Sequence, residues 1–198
     1  MGSMAGGDKP ALKLRRLQEL DVSGKRVLMR VDFNVPLKGG AITDSTRIRE
    51  TIPTLKHLLR AKARVILISH LGRPKGKPED KYSIKPVVKE LEKLSGVRVH
   101  FAPDCVGDAA EKVVSSVGPG EIALLENLRF HAEEEKNDPE FSKLLARHGE
   151  VFVQDAFGAL HRAHASTTGV AKLLPGGIGL LVQKELEFLD RVIGNPER

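Results

Sequence analysis

Polar and charged side chains recur in this chain directly after short apolar runs, and their types suit the binding of a small anion. Arginine donates through a planar fork that matches the oxygens of phosphates and carboxylates. Several converging arginines therefore predict a compact ligand that carries more than one negative charge. The positions concerned are Asp32, Asn34, His70, Arg73, Arg129 and Arg162 after apolar runs, and Arg47 at the start of a helical pattern.

Each of these residues also has an ordinary structural interpretation. Asp32 and Asn34 can form a turn, because both residue types hydrogen-bond their own backbone. A single arginine is usually a solvated surface charge. The repetition of Arg, or of His with Arg, after three separate strands is much harder to explain in this way. His161 and His164 are spaced as metal ligands can be, but no third ligand is evident, so a structural role is preferred for them.

The apolar runs themselves predict the strands of a parallel sheet. Each is short, rich in β-branched residues and too brief for a helix. In an open parallel sheet, residues just past the carboxyl ends of the strands lie where ligands bind. Pro36 ends the first run because it has no N–H for the ladder. The predicted strands cover residues 27–31, 64–69, 97–101, 121–125, 151–153 and 178–180.

Helical patterns separate these strands. The first begins near Thr43 or Asp44, and Pro53 is expected to kink or divide it. Its apolar face consists of Ile48, Ile52, Leu55 and Leu59. Further helices are predicted over 83–94, 106–114, 139–149 and 181–193. The alternation predicts an α/β fold: a doubly wound, mainly parallel six-stranded sheet with helices on both faces, a Rossmann-like three-layer sandwich.

The organisation is expected to be one domain over residues 10–193. Residues 1–9 are expected to be a disordered start that includes a non-native Met1-Gly2-Ser3, and residues 194–198 the start of a linker. No dinucleotide-binding fingerprint follows any strand. The stretch from Gly72 to Pro78 is one residue shorter than a Walker loop and has Pro78 at the Mg²⁺-binding position. It is interpreted as a mobile basic loop.

Composition narrows the function further. The chain has 198 residues, a formal net charge of +6 and a pI near 9.5. With no Trp, one Tyr and seven Phe, it has few platforms on which bases could stack, so we expect no nucleic-acid partner. No apolar run is long enough for a bilayer, so we expect no membrane partner. The single Cys105 excludes an intrachain disulfide and fits a reducing, cytoplasmic location.

The assembled motifs resemble those of phosphoglycerate kinases, and the resemblance covers most of the stretch from Lys25 to Leu189. Two departures are visible: Gln154 stands where the family usually has Asn, and Leu160 is bulkier than usual. The matching blocks are Arg30-Val31-Asp32-Phe33-Asn34-Val35-Pro36, Thr46-Arg47-Ile48-Arg49, Ser69-His70-Leu71-Gly72-Arg73-Pro74, Leu125-Glu126-Asn127-Leu128-Arg129-Phe130, Asp155-Ala156-Phe157-Gly158 and His161-Arg162-Ala163-His164.

The resemblance implies the amino-terminal domain of a glycolytic kinase that moves a phosphoryl group between 1,3-bisphosphoglycerate and ADP, yielding 3-phosphoglycerate and ATP. By resemblance, Asp32 and Asn34 hold the glycerate, and Arg47 stabilises the transferring phosphoryl group as the catalytic residue. The phosphate is clamped by His70, Arg73, Arg129 and Arg162. The substrate-binding set also includes Phe33, Leu71 and Gly72.

The resemblance also implies where the cofactor binds. Mg-ATP or Mg-ADP is expected only in a carboxy-terminal nucleotide domain that this chain lacks, so the chain by itself should hold no cofactor and no metal. We expect a monomer that is inactive without that partner domain. The alternative is a stand-alone anion-binding module, or a folding unit without catalysis.

Overall fold

A computed structural model describes residues 15–194, and in that part of the chain six parallel strands form one sheet. The strands of this sheet are β1 (Arg26–Arg30), β4 (Arg64–Ile68), β5 (Val99–Ala102), β6 (Ile122–Leu125), β7 (Val151–Gln154) and β8 (Gly176–Ile178). Their hydrogen-bonded order is β5-β6-β4-β1-β7-β8, so the first strand lies in the interior of the sheet. A separate antiparallel hairpin pairs β2 (Leu37–Lys38) with β3 (Ala41–Ile42).

Helices cover both faces of this sheet, as the alternating pattern predicts. The helices are α1 (Thr46–Arg60), α2 (Val87–Ser95), α3 (Gly107–Ser116), α4 (Ala132–Glu135), α5 (Pro139–Ala146) and α6 (Leu180–Gly194). On one face, side chains of β1 such as Val27 and Met29 pack with the apolar residues of α1 and α2. On the other face, Leu28 packs with residues of α3 and α5.

Both cores follow from the two-residue period of a strand, because successive side chains point to opposite faces. Where both faces are covered, the strand must be apolar throughout, and β4 is buried from Val65 to Ile68. The predicted fold class is therefore confirmed: a parallel six-stranded α/β sandwich with helices on both sides.

Several predicted boundaries differ from the structure. Pro53 does not divide the first helix, which runs unbroken with Pro53 on its exposed side. The bond that a proline removes belongs to the carbonyl four residues earlier, here that of the exposed Arg49, where water can replace it. The N-cap is Ser45, one or two residues later than the expected Thr43 or Asp44, while Asp44 Oδ1 accepts from the N–H of Thr46 at 2.8 Å.

The second helix starts at Val87 rather than at residue 83, for a tertiary reason. The buried Glu126 accepts from the Ser83 hydroxyl at 2.6 Å and from the N–H of Ile84 at 2.8 Å, which keeps this segment outside the helix. The helix α5 ends at Ala146, before Gly149. Gly149 is needed for another reason: a Cβ there would lie 2.7 Å from Leu28 Cβ. The hairpin, α4 and the π-helical turn Ala165–Gly169 are additions to the predicted elements.

The predicted domain spans most of the described part of the chain. The expectations for residues 1–9, for residues 10–14 of the predicted domain and for residues 195–198 lie outside the described residues. Gly194, predicted to begin a linker, is the last residue of α6. Among the described residues, no helix is both long and apolar enough to cross a bilayer.

Candidate functional site: an arginine-lined cavity

A small cavity of about 170 Å³ opens past the carboxyl ends of the central strands and gathers most of the predicted site residues. Four of its lining residues are arginines and a single one is a carboxylate, so its charge is strongly positive. The lining consists of Arg30, Asp32, Asn34, Arg47, His70, Arg129, Gly158, Ala159, Arg162 and His164.

The strand register explains why these side chains meet. Arg30 pairs with Ile68 on one side and with Gln154 on the other, so three strands end at the same level. Asp32 lies two residues after Arg30, and His70 lies two residues after Ile68. Parallel strands in register therefore deliver the residues that follow them to one edge of the sheet.

Arg30 is the main site residue that the sequence analysis left without a role. It lies at the end of β1 on the same face as Leu28, and its side chain is only 1% exposed. Its Nε donates to Ser166 Oγ at 2.9 Å, its Nη1 donates to the carbonyl of Val31, and its Nη2 lies 3.0 Å from His70 Nδ1. A charged residue at the end of an apolar run was the sequence signal for this role.

His70 presents a neutral imidazole to the cavity. Burial lowers its pKa to about 2, and the positive charges of Arg30, Arg129 and Arg162 act in the same direction. A guanidinium has only donor hydrogens, so His70 Nδ1 accepts from Arg30 and its proton resides on Nε2. His70 is therefore a hydrogen-bond donor without charge.

Asp32 and Arg47 form an ion pair across the mouth of the cavity. Arg47 Nη1 donates to Asp32 Oδ2 at 2.5 Å, and the arginine side chain is 49% exposed. Asp32 Oδ1 also accepts from the N–H of Asn34 at 3.1 Å. Asn34 in turn accepts from the N–H of Gly72 at 2.9 Å, which ties the ends of β1 and β4 together.

Arg129 and Arg162 supply the other guanidinium groups. Arg129 is 4% exposed, donates through Nη1 to the carbonyl of Gly72 at 2.9 Å, and lies 3.5 Å from Glu135 Oε1. Burial lowers its pKa. Arg162 is partly exposed, and its Nε donates to His161 Nε2 at 3.3 Å. The two arginines thus differ: one is fixed in the protein and the other has more freedom.

The structure brings four other predicted residues close to the cavity but not into its lining. Arg73 is exposed, although its charge helps to lower the pKa of Arg129. Phe33 and Leu71 are buried, and their N–H groups donate to Ser69 Oγ and Asn127 Oδ1. Gly72 has a φ of +62°, and a Cβ there would lie 2.5 Å from the Tyr82 ring. These three residues shape the backbone under the site.

Larger cavities exist but lack this excess of positive charge. One of about 510 Å³ at the β8 edge has a mainly apolar lining, and one of about 800 Å³ lies between the hairpin and α2. The volume of a cavity is therefore a poorer guide to the functional site of this protein than its charge. Among the described residues, Asp104, Cys105 and His131 are grouped as metal ligands can be, but His131 Nε2 already lies 2.7 Å from Asp104 Oδ1.

Comparisons with known proteins agree with the residue patterns. The profile of the family described as phosphoglycerate kinase matches residues 17–198. A phosphoglycerate kinase of Moorella thermoacetica is 57% identical over 182 residues, which are 92% of this chain and 46% of that protein. A chloroplastic phosphoglycerate kinase of Volvox carteri is 56% identical over 185 residues, which are 92% of this chain and 40% of the relative.

Solved structures give the same result at the level of the fold. The phosphoglycerate kinase of Coxiella burnetii superposes with a TM-score of 0.82 at 38% identity, covering 93% of this chain and 46% of the other. That of Pyrococcus horikoshii superposes with a TM-score of 0.83 at 34% identity, covering 92% and 46%. The chain spans about half the length of the relatives it matches. It belongs to the phosphoglycerate kinase family and corresponds to the amino-terminal domain of that family.

Proposed function

We propose that the arginine-lined cavity binds 3-phosphoglycerate and 1,3-bisphosphoglycerate, and that the chain is the substrate-binding half of a phosphoglycerate kinase. The observation that carries this proposal is the gathering of Arg30, Arg47, Arg129 and Arg162 around one cavity with a single carboxylate. In such a setting only a small, multiply charged anion offsets the positive charge. Membership of the phosphoglycerate kinase family indicates that this anion is 3-phosphoglycerate or 1,3-bisphosphoglycerate.

The geometry supports a division of roles among these residues. Arg129, Arg162 and His70 line one cavity and take the phosphate of the substrate, with Arg73 approaching from its exposed loop position. Asp32 and Asn34 take the hydroxyl and neighbouring oxygens of the glycerate. Arg47 lies at the mouth, held by Asp32, and stabilises the phosphoryl group in transit.

Phosphoryl transfer requires few groups from this chain beyond the residues that bind the substrate. A carboxylate oxygen of the substrate is already ionised, so the attack needs no general base. Phosphoryl transfer then depends on the alignment of the two substrates and on neutralising the phosphoryl oxygens. Mg-ATP or Mg-ADP is held by a separate carboxy-terminal domain, and the chain alone gives no turnover. Formation of ATP from 1,3-bisphosphoglycerate and ADP by the pure chain would contradict this part of the proposal.

Binding is tested by calorimetric titration of the chain with 3-phosphoglycerate at low and high salt. Arg162→Gln removes a charge-assisted hydrogen bond, so we expect a loss of about 1.5–3 kcal/mol, or roughly 10- to 150-fold in affinity. Arg60→Gln is the matched control, because Arg60 is an exposed arginine at the far end of α1. Affinity should fall with salt, since screening weakens charge pairing.

Equal affinities for the Arg162→Gln and Arg60→Gln variants would refute the assignment of the cavity. Arg47→Ala provides the second comparison. In the chain it should cost little ground-state affinity, whereas in a full-length enzyme it should lower kcat far more than it raises KM. Equal losses for Arg47→Ala and Arg162→Gln in the titration would refute the division of roles.

The alternative function is a stand-alone anion-binding module without catalysis. Both functions predict binding of 3-phosphoglycerate, so binding does not separate them. Addition of a carboxy-terminal half from a relative such as the Moorella enzyme does. Recovery of ADP-dependent turnover supports the kinase half, and its absence in a mixture where both halves are folded favours the module. The monomeric state and the cytoplasmic location stay predictions.

A further inference from the structure

A buried carboxylate lies behind the cavity and is connected to it by hydrogen bonds. Glu134 of α4 is 1% exposed, and both of its oxygens accept from Ser166: Oε2 from the backbone N–H at 2.9 Å, and Oε1 from the hydroxyl at 2.5 Å. Ser166 is fully buried. Its oxygen accepts from Arg30 Nε at 2.9 Å, and Arg30 Nη2 lies 3.0 Å from His70 Nδ1.

The direction of every hydrogen bond in this chain of contacts is determined by its two ends. A carboxylate only accepts and a guanidinium only donates. The single hydroxyl hydrogen of Ser166 therefore points to Glu134, and the oxygen of Ser166 accepts from Arg30. At the other end, Arg30 donates to His70 Nδ1. The hydrogen of the neutral His70 imidazole must then lie on Nε2.

The opposite charges of Glu134 and Arg30 stabilise these hydrogen-bond directions. Arg30 is 1% exposed, and burial lowers its pKa, while the negative charge of Glu134 is the largest influence in the opposite direction. His164 Nδ1 is 3.7 Å from Glu134 Oε1, so a cavity-lining histidine adjoins the same carboxylate. An unpaired buried charge is costly, which means that the carboxylate and the guanidinium hold each other in place.

We propose that Glu134 is a positioning residue: through Ser166 it fixes Arg30, and through Arg30 it holds His70 as the Nε2–H tautomer that donates to an anion in the cavity. Glu134 does not line the cavity itself. The part of this inference that concerns the anion rests on the proposed function, whereas the tautomer of His70 does not.

The test is ¹⁵N NMR of the chain with labelled histidine, in the absence of ligand, combined with titration of 3-phosphoglycerate. In the wild-type chain, His70 should show an unprotonated Nδ1 and a protonated Nε2. In Glu134→Gln and in Ser166→Ala, we expect a mixture of the two tautomers, together with a loss of affinity of roughly 2- to 12-fold, the value of one ordinary hydrogen bond.

Glu133→Gln is the matched control, because Glu133 is the exposed neighbour in the same helix and loses the same charge. It should leave the tautomer and the affinity unchanged. A general loss of packing would not select one imidazole nitrogen, so the tautomer separates positioning from stability. Ser166→Ala is the smaller change and keeps the test decisive if Glu134→Gln fails to fold.

The outcomes separate the two proposals. A protonated Nδ1 on His70 in the wild-type chain would overturn the inference without any variant. An unchanged Nε2–H tautomer in folded Ser166→Ala would also overturn it. Failure of the wild-type chain to bind 3-phosphoglycerate would overturn the proposed function instead, while the tautomer measurement would still decide the role of Glu134.

Discussion

The buried carboxyl of Asp155 should make the stability of this chain decrease as the pH rises towards neutrality. Asp155 follows β7, is 0% exposed, and accepts through Oδ1 from the N–H groups of Leu181 and Val182 at the start of α6. Its Oδ2 is buried without a partner in the described structure. Burial raises the pKa of Asp155 from 3.8 to about 7, against the lowering effect of its hydrogen bonds.

The direction of the pH dependence of stability follows from the raised pKa of Asp155. The folded state holds the proton more tightly than the unfolded state, so the favourable contribution of the protonated carboxyl is complete below pH 3.8 and is lost by about pH 7. One pKa unit corresponds to about 1.4 kcal/mol. A shift from 3.8 to about 7 therefore amounts to a loss of about 4 kcal/mol across this interval.

The measurement compares urea unfolding of the wild-type chain and Asp155→Asn between pH 4 and pH 9. Asparagine has the shape of the protonated carboxyl and does not titrate. The free energy of unfolding of the wild type relative to the variant should fall by about 1.4 kcal/mol per pH unit up to pH 7 and then stay level. The comparison of two chains cancels the titration of all other groups.

Asp44→Asn is the matched control at the start of α1. Asp44 is exposed, and its hydrogen bonds with Thr46 hold its pKa below the usual value, so this pair of chains should differ by a constant amount above pH 4.5. A difference between wild type and Asp155→Asn that is independent of pH would refute the assignment of a neutral, buried Asp155.

Three further predictions concern stability and the shape of the cavity. The chain should unfold in urea in one cooperative transition, because both cores lie within residues 15–194; a gradual, dye-binding transition would contradict this. Gly176→Ala should lower the free energy of unfolding by about 1–3 kcal/mol, because a Cβ there would lie 2.2 Å from the carbonyl oxygen of Phe152; an unchanged urea midpoint would contradict it. Gly158→Ala places a methyl group 3.2 Å from Asp32 Oδ2, so it should weaken 3-phosphoglycerate binding by about 1 kcal/mol, roughly fivefold, without changing the urea midpoint; equal affinity in calorimetry would contradict it.

The fold could be predicted from the sequence because its signals are local. The run from Val65 to Ile68 is apolar throughout since helices cover both faces of the strand, and this composition is visible without knowing the partners. The helix boundaries at residue 83 and Gly149 were wrong because distant contacts decide them. Glu126 captures Ser83 and Ile84, and Leu28 crowds Gly149.

Part of the candidate site could likewise be predicted from local sequence, and the rest depends on distant contacts. The sequence by itself determined that polar and basic residues follow successive strands, and that parallel strands would bring Asp32, His70, Arg129 and Arg162 to one edge. This works because the period of a strand and its chain direction are properties of the local sequence. Arg47 could be predicted as a site residue for a similar reason, because its place in the first turn of α1 is also a property of the local sequence.

Only the tertiary structure decided which side chains enter the cavity and in what protonation state. Arg30 meets Ser166 across a sequence separation of 136 residues and His70 across 40, and no local pattern encodes such pairs. Arg73 follows the same strand as His70, yet it is exposed while His70 is buried. Burial and the surrounding charges then set the neutral state of His70 and the raised pKa of Asp155, because both depend on the removal of water by residues far away in the chain.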